Sequence, residues 1–350
     1  MMKRLSIENF RGITSLEMDK LRRINLLVGK NNCGKTSVLE SIFLLVGATS
    51  PQLPIFITNL RGINIMSEDI WKSFFYETNT SLTISLKCDL ESEKRRLEIL
   101  PFIGFEASDK SIKTETTAID MQYISSDKQR MPLKGLSLNY IQEKEGKENK
   151  FTTQIANVKD GVQHTNPTKY TETISGFFLK PSTSMQALSF VFSEIKKNKQ
   201  FETILAVLRK IEPSLRNIEY LSDGYYCDVG YPMMMPLGSM GDGITNLLRI
   251  LMVITYSPKG IVLIDEIENG FHHSSLNILW EAVFEASRVH NVQVFAATHS
   301  FECAEAFNKA QEQENDTALF RIEKKADKFR VVDYDYDKLV TTIEKGWGFR

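Results

Sequence analysis

Apolar and polar residues alternate along this chain in three successive textures. Near the start, 3–7 and 24–28 are rich in β-formers, 15–18 is a further strand between them, and 35–46 reads as a helix. The prolines within 50–57 predict a break. Beyond 81 the chain turns to short Thr/Ile/Leu-rich runs at 81–88, 95–100, 118–124, 136–142 and 150–155, parted by polar loops such as 143–149. Such runs predict antiparallel strands. Helices follow at 186–197 and 201–211, where Phe201, Ile204, Leu205, Leu208 and Ile211 share one face. After 217, strands at 218–221, 261–264, 292–296, 318–322 and 329–332 alternate with helices at 245–255, 275–287 and 301–312. Alternation of this kind implies a mainly parallel sheet covered on both faces. The expected division is an α/β domain built from 1–80 and 217–350, interrupted by a β-rich and helical lobe at 81–216.

Composition bounds the function classes. The 350 residues are 42% hydrophobic and 25% charged, ordinary for a globular protein. A net charge of -1 gives no global pull toward nucleic acid or membrane. Basic groups such as Lys20/Arg22/Arg23, Lys94/Arg95/Arg96 and Lys196/Lys197/Lys199 read as solvated faces ahead of a DNA patch. Cys33, Cys88, Cys227 and Cys303 are scattered, with no C-x-x-C pair, which indicates neither zinc nor disulfides and suits a reducing compartment. His164, His272, His273 and His290 have no metal-ligand spacing. No apolar leader opens the chain, and its longest apolar runs fall well short of the ~20 residues of a membrane span, so a cytoplasmic location is expected.

Three segments carry chemistry. Gly29, Lys30, Asn31, Asn32, Cys33, Gly34, Lys35 and Thr36 match G-x-x-x-x-G-K-[ST] between a strand and a helix. Glycines let backbone N–H groups converge on phosphate at a helix N-terminus that also contains Ser37. Lys35 is expected to reach the β- and γ-phosphates of ATP, and Thr36 to supply a hydroxyl to Mg²⁺. Four apolar β-formers, 261–264, end in Asp265 and Glu266, where ligands sit in open α/β sheets. Asp265 is expected in the magnesium shell and Glu266 as the group that polarises the attacking water. Ala296-Ala297-Thr298-His299-Ser300 ends the next strand, which places His299 toward the same pocket to donate to the γ-phosphate.

Together these segments resemble the ABC-type ATPases of the structural-maintenance-of-chromosomes and RecF branch. More narrowly they resemble the small bacterial ATPases related to the OLD (overcoming lysogenization defect) family. Ile7-Glu8-Asn9-Phe10-Arg11-Gly12 is similar to the family's I-x-N-F-R-G opening, 29–36 to its Walker A, 261–266 to its Walker B, and His299 to its switch histidine. Pro236-Leu237-Gly238-Ser239-Met240-Gly241-Asp242-Gly243 looks like its signature loop, and Glu268-Asn269-Gly270-Phe271-His272 like its D-loop. The resemblance implies an ABC-type ATPase head in which Ser239 and Gly241 of a second copy cap the γ-phosphate. Asn9 and Arg11 either border the nucleotide or form a turn. The signature departs from LSGGQ, and Gln52 is the nearest candidate for a Q-loop.

What is missing narrows the reading. No heptads run through 37–235, so a long coiled coil is excluded. Too little follows Ser300 for a TOPRIM nuclease domain of ~100 residues. Asp333, Asp335 and Asp337 alternate, and an exposed strand end leading into a last helix is favoured there over a Mg²⁺ site. The expected function is a nucleotide-gated ATPase, a homodimer or higher assembly of dimers across the ATP sites, that regulates a separate effector protein, and the resemblance implies that it does so in anti-phage defence. The alternative is a RecF-like ATPase with DNA as partner. A scaffold that holds ATP without turnover is opposed by Glu266, and a membrane transporter by the opening and signature segments.

Overall fold

The structure is a computed structural model that describes residues 1–62, 70–103, 133–158, 161–165, 167, 170–311, 316–325 and 328–334. The strand expected at 118–124, the carboxylates Asp335 and Asp337, and the last helix lie outside the described residues. Strands in the first half are β1 (Met2–Phe10), β2 (Ile13–Met18), β3 (Ile24–Val28), β4 (Ile84–Leu90), β5 (Lys94–Phe102), β6 (Gly135–Lys144), β7 (Lys147–Val158), β8 (Gly161–His164) and β9 (Gly176–Leu179). Those in the second half are β10 (Asn217–Leu221), β11 (Gly224–Asp228), β12 (Met235–Pro236), β13 (Ile261–Ile264), β14 (Gln293–Thr298), β15 (Thr317–Lys325) and β16 (Lys328–Tyr334). The helices are α1 (Lys35–Val46), α2 (Gln52–Asn59), α3 (Ser189–Lys197), α4 (Phe201–Leu208), α5 (Asp242–Tyr256), α6 (Leu276–His290) and α7 (Phe301–Lys309).

A six-stranded sheet in the order β16-β15-β3-β14-β13-β9 forms the centre. Its neighbours pair in parallel except β15 with β16. Every residue of β3, β13 and β14 is buried, as near-continuous apolar strands require when helices or a second sheet cover both faces. The two-residue side-chain period divides them: Leu26 and Val28 face a core shared with α3 to α7, whereas Leu27 faces a core shared with α1 and the second sheet.

The second sheet is antiparallel and seven-stranded, in the order β2-β1-β4-β5-β6-β7-β8. β1 pairs with β2 on one edge and β4 on the other, with Leu5 opposite both Met18 and Cys88. The boundary expected at 80/81 therefore falls inside a continuous sheet. The chain then returns to the central sheet within 81–216. β9 flanks β13, and α3 and α4 pack on α5. Strand pairing across distant segments draws these groupings, and a change in local composition does not report it.

α1 lies between the two sheets and touches β13, β14 and β9 as well as β1, β4 and β5. Its residues from Ser37 to Val46 are all buried, which explains an apolar character that is not confined to one stripe. Arg95 on β5 closes its C-terminal end by donating to the carbonyls of Leu45 at 3.2 Å and Val46 at 3.1 Å. The same guanidinium pairs with Glu93 at 2.6 Å and Glu172 at 2.8 Å. A correction concerns 50–57, where the expected break is the helix α2. Pro51 caps it and Pro54 lies in its first turn, where a missing N–H costs no helical bond.

Candidate functional site

The 29–36 loop leaves β3 and enters α1 through three residues of positive φ, Gly29 at 149°, Asn32 at 61° and Gly34 at 99°. A Cβ on Gly29 would lie 2.5 Å from the Ile322 carbonyl oxygen and 2.8 Å from Cys33 Sγ, so only glycine fits. Backbone turned in this way in front of a helix N-terminus gathers N–H groups into an anion-binding nest. Lys35 Nζ lies over the loop, donating to the carbonyls of Gly29 at 2.8 Å and Lys30 at 3.0 Å. Lys30, Asn31 and Asn32 are exposed and Ser37 is buried. Cys33 is buried, and that burial raises its thiol above the ordinary value, with Lys35 opposing.

β13 delivers Asp265 and Glu266 beside this loop. Thr36 Oγ1 donates to Asp265 Oδ2 at 2.9 Å. Asp265 is buried, and desolvation pushes its carboxyl up, while the Thr36 hydrogen bond and the charge of Lys180 oppose. A hydroxyl and a partly desolvated carboxylate, both hard oxygen donors, fit Mg²⁺. No group of three or more ligating side chains occurs among the described residues, so phosphate and water oxygens would complete its shell. Glu266 is exposed and held at a φ of 51°, a left-handed conformation that costs about 1–3 kcal/mol and persists where the surroundings fix it.

The register of β14 against β3 places Thr298 opposite Val28, so His299 leaves the sheet level with Gly29. Lys35, Thr36, Asp265, Glu266 and His299 thus cluster at the carboxyl ends of three adjacent strands. Glu268 also reaches His299: its Oε1 accepts the His299 backbone N–H at 3.1 Å and lies 3.2 Å from Nδ1. Lys180 follows β9 on the other side of Asp265, with Leu179 paired to Ile264, and donates to the Leu60 carbonyl at 3.3 Å. Lys180, Asn246, Arg249, Asp265 and Glu266 line a cleft there. Neither Glu268 nor Lys180 stands out as a site residue in the sequence. The apolar 176–179 run before Lys180 is the only local hint of β9.

Ser239 and Gly241 sit at the entrance of α5, both exposed, with Gly241 at a φ of 87°. Asn246 Nδ2 ties α5 to the Asn269 carbonyl at 2.5 Å. Among the described residues no hydrogen bond joins the 236–243 segment to the 29–36 loop of the same chain. Asn9 and Arg11 both have positive φ, 58° and 56°, at the β1–β2 turn. Asn9 Nδ2 donates to the Thr83 carbonyl at 3.0 Å. Arg11 is buried; its Nε donates to Glu40 Oε2 at 3.2 Å and its Nη1 to Ser73 Oγ at 2.9 Å. Arg61 meets the same carboxylate at 2.7 Å. Arg11 thus braces α1 through Glu40. Gln52 is exposed on the first turn of α2.

The profile of a family described as AAA ATPase domain matches residues 1–221. A second, described as AAA domain, putative AbiEii toxin, Type IV TA system, matches residues 155–302. A Helicobacter pylori protein described as an ATP/GTP phosphatase is 24% identical over 340 residues, 88% of each chain. The DNA replication and repair protein RecF of Pasteurella multocida is 52% identical over 42 residues, 12% of each chain. Among solved structures, an SMC head bound to the C-winged helix domain of ScpA aligns with a TM-score of 0.52 at 11% identity, covering 96% of this chain and 99% of that one. With the loop, the acidic strand end and the central sheet in the places such a fold requires, the chain belongs to the AAA ATPase domain family and is an ATP-binding P-loop ATPase whose fold is similar to that of an SMC head.

Proposed function

We propose that two copies of this chain close on ATP, each completing the other's site, and that this closure regulates a separate effector protein. The observation that carries the reading is the exposure of Ser239 and Gly241 at the start of α5. A hydroxyl and a helix N-terminus are suited to an anion, and here they stand free to meet the γ-phosphate held by another copy. On the first copy, the 29–36 loop and Lys35 hold the phosphates, Glu266 orients and polarises the attacking water, and His299 contacts the γ-phosphate. Thr36 and Asp265 would hold Mg²⁺, which when bound neutralises charge on the β- and γ-phosphates. Because ATP touches both copies only in the closed pair, it favours closure, and its hydrolysis reopens the pair.

The seven-stranded sheet is the transmitting element in this proposal. It grips α1, the helix of the phosphate loop, through the Arg11–Glu40 pair near the middle of the helix and through Arg95 at its C-terminal end. The resemblance to the OLD-related ATPases and the match to a family described with a toxin–antitoxin system support a role in anti-phage defence, with the effector on another polypeptide. No described helix is long and apolar enough to cross a membrane.

Replacing Glu266 with Gln tests the reading. ATP and Mg²⁺ should double the mass of the variant in light scattering, with ATP retained. A variant that stays monomeric with ATP bound would refute the paired site. The RecF relatives favour a second reading, DNA as the regulated partner. Binding to naked DNA that weakens steeply with salt, in the absence of any effector, would favour it.

A further inference from the structure

We propose that Glu268 is a positioning residue for His299, and that it fixes which ring nitrogen carries the proton. One carboxylate oxygen of Glu268 accepts the backbone N–H of His299 at 3.1 Å and stands 3.2 Å from its Nδ1. The side chains differ in exposure: Glu268 is 12% accessible and His299 is 54% accessible. The acid is therefore largely buried, and the ring that it meets through Nδ1 is half-exposed. The other carboxylate oxygen, Oε2, is buried without a hydrogen-bond partner. A rigid loop holds the acid in place: Asn269 N–H donates to the Glu266 carbonyl at 2.9 Å, Phe271 N–H donates to the Glu268 carbonyl at 3.1 Å, and Asn246 clamps the Asn269 carbonyl.

The chemical consequence follows from donor and acceptor bookkeeping. An ionised carboxylate only accepts, so its closeness to Nδ1 favours the ring form that carries a proton there. A neutral ring then presents Nε2 as an acceptor, which suits water and repels a phosphate oxygen. Only the imidazolium presents an Nε2–H donor, and its charge is then matched by Glu268. An imidazolium at this position would meet a γ-phosphate through Nε2–H, held in a fixed orientation by Glu268, as outer-shell partners orient metal-bound histidines. The link to the γ-phosphate rests on the proposed function; the tautomer does not.

The chain has five histidines, so ¹⁵N-histidine labelling of the full-length protein, with His299→Gln for assignment, resolves the ring. Without nucleotide, neutral His299 should be the Nδ1–H tautomer. In Glu268→Ala it should revert to the Nε2–H form that dominates the free histidine side chain. Finding Nε2–H in the unsubstituted protein, or no change in the variant, would overturn the proposal. Kinetics provide the second readout. Glu268→Gln, which keeps the shape and an acceptor oxygen, should lower kcat about tenfold with KM for ATP nearly unchanged, and Glu268→Ala should lower it further. Equal kcat in all three proteins, with the tautomer shift present, would leave the positioning intact and refute the γ-phosphate contact instead. Thermal unfolding of both variants near that of the unsubstituted protein excludes a folding defect as the cause.

Discussion

Thr36 and Asp265 stand 229 positions apart in the chain, yet a 2.9 Å hydrogen bond joins the hydroxyl of one to the carboxylate of the other. α1 begins beside the end of β13 because β14 alone separates β3 from β13 in the central sheet. If this pair holds Mg²⁺ as proposed, Asp265→Asn keeps the Thr36 contact but loses the anionic ligand. Hydrolysis should then fall by about 100-fold, with ATP binding less affected. Steady-state rates over a Mg²⁺ titration check this. A variant with normal turnover at ordinary Mg²⁺ would remove Asp265 from the site.

Cysteine chemistry gives a pH prediction. Burial raises the Cys33 thiol and pushes Cys227 up to about 11 and Cys88 and Cys303 up to about 12. The thiolate is the reactive species, so raised values mean a smaller reactive fraction at neutral pH and a rate that keeps climbing past the ordinary thiol range. Iodoacetamide should label the native protein at least about tenfold more slowly than free cysteine at pH 7.5, and ATP should slow Cys33 further. Fast labelling of Cys33 at neutral pH would show that the loop does not bury it.

Arg95 gives a stability prediction. It is buried against Glu93 and closes the C-terminal end of α1. Arg95→Met strands the buried Glu93 carboxylate and frees the last carbonyls of the helix. The expected loss is about 3–5 kcal/mol in urea unfolding, because a buried charge is left without its partner. A loss under about 1 kcal/mol would mean that the cluster is hydrated and plays no part in bracing the helix.

The parts of this molecule that were legible in the sequence are those specified by adjacent residues. The glycines and Lys35 fix the phosphate loop, the apolar 261–264 run fixes β13, and the spacing to His299 fixes the end of β14. Where pairing is set across the chain, the sequence is silent. β9 has only four residues, and its place beside β13 depends on Ile261 meeting Gly176. The shift of texture at 81 suggested a separate lobe, but β4 completes a sheet that β1 opens. Proline as a breaker misled at α2, because Pro51 and Pro54 fall where a helix needs no N–H. Nothing in the local sequence marks Glu40, which is fully buried between Arg11 and Arg61. Glu268, read only as part of a D-loop, gains its meaning from a contact with His299 across 31 positions.

The central claim, that two copies share each ATP site, has a direct test in mixed variants. Lys35→Ala should disable the phosphate loop of a copy, and Ser239→Arg its capping edge, so each variant alone should be inactive. In an equal mixture, a mixed pair joins the intact loop of one copy to the intact Ser239 of the other. Random pairing then restores about a quarter of the unsubstituted ATPase activity, since half the pairs are mixed and each has one complete site. No recovery on mixing, with both variants folded and able to pair, would contradict the account, as would full activity of Ser239→Arg alone.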